Sequence, residues 1–173
     1  MPVGDVLTRP DKAMAIKACE NAELNNPQSG CVGGGTGATV GKILGAERCM
    51  KSGLGIACVK IGELKVGAVV VLNAFGDVFD TNGNRIAGLL NEDKTGFSST
   101  EEEMYKSIQP KKQVNTNTTI GAIITNGKFD KTKLNKIASM THNGYACSIN
   151  PVHTMADGDS IYALSVGEVE ADL

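Results

Sequence analysis

The chain has 173 residues, a formal net charge of −2 and 41% hydrophobic residues. That length supports one domain, or a tight pair of subdomains, with a full core, and the near-neutral charge without a basic cluster speaks against a nucleic-acid partner. The longest apolar run, Val66 to Phe75, is too short for a bilayer span and is broken by Gly67 and Asn73. Met1 onward lacks the charged-then-apolar pattern of a secretory signal, so a cytoplasmic location with no membrane partner is expected. The 5 cysteines form no C-x-x-C pair and are expected to be reduced and mostly buried. With 21 glycines and no Trp, the core has to be built from Val, Ile, Leu and Ala around close backbone contacts.

Pro10-Asp11 predicts a helix running to about Asn26, with apolar spacing loose enough for burial on more than one side. The run from Gly30 to Lys42 then looks like a phosphate cradle. A P-loop needs Gly, four residues, then Gly-Lys-Ser/Thr, but Ile43 follows Gly41-Lys42 and Thr36 stands where the first glycine should. The dinucleotide fingerprint fails as well, since Val40 replaces its third glycine. A tight turn with close backbone approach accounts for these glycines. A lysine carried by such a turn is still a candidate fixed charge in a pocket, and an anion- or nucleotide-binding module using Lys42 is the alternative functional reading.

Leu54 to Ile61 and Lys65 to Asn73 read as strands joined at Gly62-Glu63. The second is apolar on both faces, which predicts a central strand covered on both sides. Asn73 at its tip either caps a turn or donates to a substrate oxygen. Thr81-Asn82-Gly83-Asn84 is a turn, and Arg85 to Leu90 a brief strand. Asn91 to Asn117 is polar, charged and expected to be mobile, a length that in a compact domain signals function, disorder or processing. The triple Glu from Glu101 reads as a solvated face or a helix start.

Thr118 to Asn126 is β-branched and apolar, which suits a buried strand. A mobile arm entering that strand leaves Thr118 or Thr119 as its first residue. A helix begins at Asp130, with Leu134, Ile137, Ala138 and Thr141 on one face and Asn143-Gly144 interrupting or ending it. His142 near that end is expected to complement the helix dipole. Asp157-Gly158-Asp159 lacks the further ligands of an EF-hand, and His153 has no partner at metal spacing, so no metal or cofactor is expected. The two carboxylates either shape a turn or converge on one point. A strand from Ile161 to Val166 closes the pattern.

Four of these segments occur together in one order: Gly33 to Lys42, Val69 to Asp77, Asn117 to Gly121, and Pro151 to Asp159. In that combination the chain resembles the self-processing aminopeptidase family that includes DmpA, the β-peptidyl aminopeptidases and the nylon-oligomer hydrolase NylC. The resemblance implies an α/β (α+β) fold, the αββα sandwich of N-terminal-nucleophile hydrolases. It implies self-cleavage between Asn117 and Thr118, dividing a single domain, 1–173, into an α-subunit-like part, 1–117, and a β-subunit-like part, 118–173. Thr118 would be the nucleophile and Asn73 the oxyanion donor, a group whose loss typically costs ~2.7–4 kcal/mol of barrier. Lys42 would supply positive charge beside the nucleophile, and Asp157 and Asp159 would orient and polarise the Thr118 hydroxyl and amine. The expected substrate is a peptide or short amide. The chain enters the family pattern in its middle, so the resemblance also implies an incomplete sandwich that joins a missing N-terminal half or forms a homo-oligomer.

Overall fold

A computed structural model describes residues 3–5, 7–22, 26–106 and 117–172. Helix α1, Lys12–Glu20, is capped by Asp11, whose carboxylate accepts from the Met14 amide. It is shorter than the sequence predicts and buries none of its residues, because its scattered apolar positions make no coherent face. A short 3-10 turn, Gly33–Gly37, leads into β1, Thr39–Val40, which pairs with β2, Met50–Lys51.

The hairpin of β3, Leu54–Ile61, and β4, Leu64–Val71, forms as read, with Gly62 in the left-handed region at its turn. β5, Asp77–Phe79, pairs with β6, Arg85–Ala87, which is shorter than the expected strand. Helix α2, Thr100–Lys106, starts at the Glu triplet. The supposed linker is therefore built up to Lys106. Thr100 is fully buried, its amide and hydroxyl both donating to the buried Asp77 carboxylate. Residues 107–116 of that expected loop lie outside the described residues.

β7, Ile120–Gly127, leads through α3, Lys131–Ser148, to β8, Ile149–Asn150, and β9, Ser160–Val169. Asp130 caps α3 by accepting from the Lys133 amide. Asn143-Gly144 does not end this helix. The buried Tyr145, the very next residue, holds it in place, which outweighs the ~1 kcal/mol a helical glycine costs.

The main sheet has the order β3-β4-β7-β9, antiparallel except for the β7–β9 pair, whose parallel crossover is carried by α3. Val70, Gly121 and Ile161 share one face, where Val70 and Ile161 pack on a core of Val40, Ala74, Val78, Tyr145 and Ile149. On the other face Ile56, Ile124, Tyr162 and Leu164 are exposed. The central strand β4 is thus not covered on both sides as expected, because among the described residues only one face of the sheet carries packed elements. The cysteines are free but not buried. Cys19, Cys31, Cys58 and Cys147 are exposed and Cys49 is half-buried, since they sit on uncovered surfaces of α1, the glycine-rich turn, β3 and α3.

Candidate active site

The topology brings three chain ends to one edge of the sheet. β4 runs antiparallel to β7, so the end of β4 lies beside the start of β7. β9 runs parallel to β7, so the two start together. Asn73, Thr118 and Gly158-Asp159 therefore meet by strand direction alone. Lys42 joins them through backbone lacing: the Gly41 amide donates to Gly76 O and the Lys42 amide to Phe75 O. Gly41 is required here, because its φ is +67° and a Cβ would stand 2.0 Å from the Leu89 nitrogen.

The Asn117–Thr118 peptide is gripped at both ends. The Thr118 amide donates to Asn73 O at 2.9 Å, and the Gly158 amide donates to Asn117 O at 2.9 Å. The Thr118 hydroxyl also donates to Asn117 O, at 2.5 Å. The hydroxyl thus lies against the carbonyl of its own preceding peptide, polarised from the other side by a main-chain N–H. A Cβ on residue 158 would come within 2.9 Å of Thr118 Oγ1, so only glycine lets the loop approach this closely. Asn117 is 6% exposed; its side-chain amide donates to Ala156 O, while its Oδ1 has no partner.

Lys42 is 7% exposed and its Nζ reaches Asn73 twice, the backbone oxygen at 3.2 Å and Oδ1 at 2.5 Å. Burial pulls its ammonium down to about 8, opposed by the Cys49 thiol and the Asp157 carboxylate. Asn73 Oδ1 also accepts from the Thr39 amide, and two donors on Oδ1 assign its amide orientation. The glycine-rich turn does not use Lys42. Instead the Lys51 ammonium donates to Gly35 O, Ala38 O and Ser52 O. The turn presents carbonyls to a cation, the reverse of an anion cradle.

The two aspartates hold different things. Asp157 Oδ1 accepts from the Phe75 amide, and its Oδ2 from the Thr154 amide and hydroxyl. Asp159 Oδ1 accepts from the Thr119 amide at 2.8 Å, and its Oδ2 faces His153 Nδ1 at 2.8 Å. The Thr118 hydroxyl bonds to the Asn117 carbonyl and to neither carboxylate. Asp159 holds the backbone of the residue after it, while Asp157 ties the Phe75 loop that follows Asn73 to Thr154. His142 is not a dipole partner: it lies before the last turn of α3 and its Nδ1 meets His153 Nε2 at 3.3 Å. No group of three or more His, Cys, Asp or Glu side chains among the described residues is placed to hold a metal ion.

The sequence profile of Peptidase family S58 matches residues 4–172. The chain belongs to this family. The S58 chain is 33% identical over 166 residues to the 6-aminohexanoate-oligomer endohydrolase of Kocuria sp. (strain KY2), covering 93% of this chain and 46% of that protein. It is 32% identical over 181 aligned positions to an uncharacterized aminopeptidase of Mycobacterium leprae, covering 99% of this chain and 48% of that one. It thus spans about half the length of these S58 relatives. The solved L-aminopeptidase D-Ala-esterase/amidase of Ochrobactrum anthropi, described as a variant of the Ntn hydrolase fold, superposes with a TM-score of 0.59. That match has 21% identity and covers 88% of this chain and 36% of the other, and it shows the fold. No helix among the described residues is long and apolar enough to cross a membrane.

Proposed function

We propose that this S58 chain is a self-cleaving amide hydrolase of N-terminal-nucleophile type, with Thr118 as nucleophile and Asn117–Thr118 as the bond it cuts first. One observation supports this above the others: the Thr118 hydroxyl sits 2.5 Å from the Asn117 carbonyl oxygen, with the Gly158 N–H on the same oxygen. In the first stage, Thr118 Oγ1 bonds to the Asn117 carbonyl carbon. The negative charge gathers on Asn117 O, where the Gly158 N–H stabilises it. The C–N bond then breaks, the proton given up by the hydroxyl passes to the departing Thr118 nitrogen, and an ester joins Asn117 to Thr118 Oγ1. Water hydrolyses that ester, leaving an Asn117 carboxylate and a free Thr118 amine.

The free amine, with an ordinary pKa of ~7.7–8.0, then serves as the base that takes the Thr118 hydroxyl proton during turnover. The carbonyl of a peptide or short amide is attacked, its amine leaves with the proton, and water frees the acyl group. Asn73 supplies the oxyanion donor and Lys42 the fixed positive charge in this scheme. Asp159 holds the residue that follows the nucleophile, and Asp157 holds the loop that follows Asn73. The hydrolase activity named for the relatives, on oligoamides or peptide N-termini, supports this substrate class. We infer that the working enzyme includes further polypeptide, a complementary half or a second copy, lying against the bare sheet face.

Intact mass tests the first stage. The 18.0 kDa chain should separate into fragments ending at Asn117 and beginning at Thr118, and Thr118→Ala should remain whole. A wild-type chain that stays uncut and releases no amine from short amides would overturn the proposal.

A further inference from the structure

His153 sits in the left-handed region at φ +53°, a conformation uncommon for any residue but glycine and held only where the surroundings fix it. A fold keeps such strain where the side chain is needed in that place. Here the strain turns the imidazole inward. Nδ1 comes to 2.8 Å from Asp159 Oδ2, and Nε2 to 3.3 Å from His142 Nδ1 on α3. The Asp159 side chain is 3% exposed and the His153 side chain 37%.

A carboxylate that deep needs donors on both oxygens. Oδ1 has the Thr119 amide, and Oδ2 has His153. An ionised Asp159 requires the hydrogen on Nδ1, which leaves the Nε2 lone pair to accept from His142 Nδ1–H. The other group facing the pair is Tyr145, whose ring lies 6.2 Å from that of His153. Burial and the Asp159 charge push its hydroxyl up to about 12, so it adds no competing charge near neutral pH.

We propose that His153 is a positioning residue. It locks the Asp159 carboxylate against the Thr119 amide, and so fixes the main chain that carries Thr118, with His142 bracing its ring from α3. The inference rests on the reading of Thr118 as nucleophile for its consequence, but not for its geometry. Without His153, Oδ2 of a buried carboxylate is left bare, and Asp159 must rotate toward water or draw water in. The start of β7 then loses the bond that holds it.

The backbone strain supplies a clean test. His153→Gly removes the imidazole and relieves the strain together, so the fold is retained. His153→Asn keeps the left-handed conformation and offers an amide N–H where Nδ1–H was. Amide hydrogen exchange at Thr119 is measured in the uncut Thr118→Ala chain, and self-cleavage in the otherwise wild-type chain. His153→Gly should unfold near the parent's temperature, the relieved strain offsetting the lost hydrogen bond, yet exchange Thr119 about 10-fold faster, the scale of one charge-assisted hydrogen bond. Cleavage should slow in parallel, and His153→Asn should restore both. Unchanged Thr119 exchange in His153→Gly overturns the proposal, as does failure of His153→Asn to restore it. If the parent never cleaves, the proposal of self-cleavage fails by itself and the exchange measurement still decides the role of His153.

Discussion

The two ends of the main sheet invert the usual distribution of polar and apolar groups. At the start of β7, polar residues are buried and interlocked: Asn117, Thr119 and Lys42 are all under 9% exposed, and most of their polar atoms have partners. At the β3–β4 hairpin Lys60, Glu63 and Lys65 are the charged residues and the rest is apolar, yet Val59 is 60% and Ile61 73% exposed. An ordinary fold buries the second kind of surface first. The polar corner is closed by short-range loops and strand ends that this chain supplies itself. The apolar strands form a surface that no described residue covers, and this exposure supports the proposed docking of further polypeptide there. The setting of Thr118 and the sheet's burial are therefore separable, and each can be disturbed without the other.

The largest effect after loss of Thr118 itself is expected at Lys42. Lys42→Met keeps the packing but removes the donor to Asn73, and self-cleavage should slow by about 10²–10³-fold, the scale of one lost electrostatic donor. The pH dependence of the wild type sharpens this. The buried ammonium loses its proton as pH rises through about 8, so a rate that needs the charge falls above that point. A rate that climbs through it would mean that Lys42 acts as a base instead. Self-cleavage is the proper readout, because the uncut chain has no free amine at Thr118 to titrate in the same range. Stability has the opposite sign. The folded value lies below the ordinary 10.5, so the unfolded chain binds the extra proton and stability rises between about 8 and 10.5. Denaturant midpoints in that window should climb for wild type and stay flatter for Lys42→Met.

A smaller effect is expected at Gly158. Gly158→Ala preserves the N–H but sets a methyl 2.9 Å from Thr118 Oγ1. Cleavage followed by mass over time should slow by roughly 10-fold, as expected for a displacement of a few tenths of an ångström at a reacting atom. A rate equal to wild type would show that the loop moves away before the bond breaks. The smallest effect on chemistry belongs to the other end of the sheet. Val59→Lys with Ile61→Lys should leave the cleavage rate unchanged while reducing self-association in sedimentation or light scattering. A loss of cleavage in that variant would break the comparison, because it would tie the exposed hairpin to the polar corner.

Much of this was legible in the sequence. The β3–β4 hairpin follows from Gly62 between two β-branched runs, and the start of α3 from Asp130 ahead of Leu134 and Ile137. Thr118, Asn73, Lys42, Asp157 and Asp159 were named from motif and order, and the fold brings all five to one corner. Local pattern misled where tertiary contacts outweighed it. Gly144 reads as a helix stop, but the buried Tyr145 carries α3 past it. Thr100 reads as part of a loose arm, but the buried Asp77 pins it. The apolar run of β4 reads as doubly covered, but burial depends on what lies opposite, which a strand's own residues do not encode.

What the sequence determined by itself was which groups are present and which local conformations they prefer: the glycine at 41, the alternating strands, the Asp-Gly-Asp loop, the threonine at the start of β7. What only the tertiary structure decided was who faces whom. His142 and His153 lie eleven residues apart with the end of α3 and β8 between them, so no spacing rule pairs them. The antiparallel β4 and parallel β9 bring Asn73 and Gly158 to the two sides of one peptide bond. A main-chain N–H such as that of Gly158 has no signature in a sequence, because every residue but proline carries one. Only the course of the backbone aims it at a carbonyl.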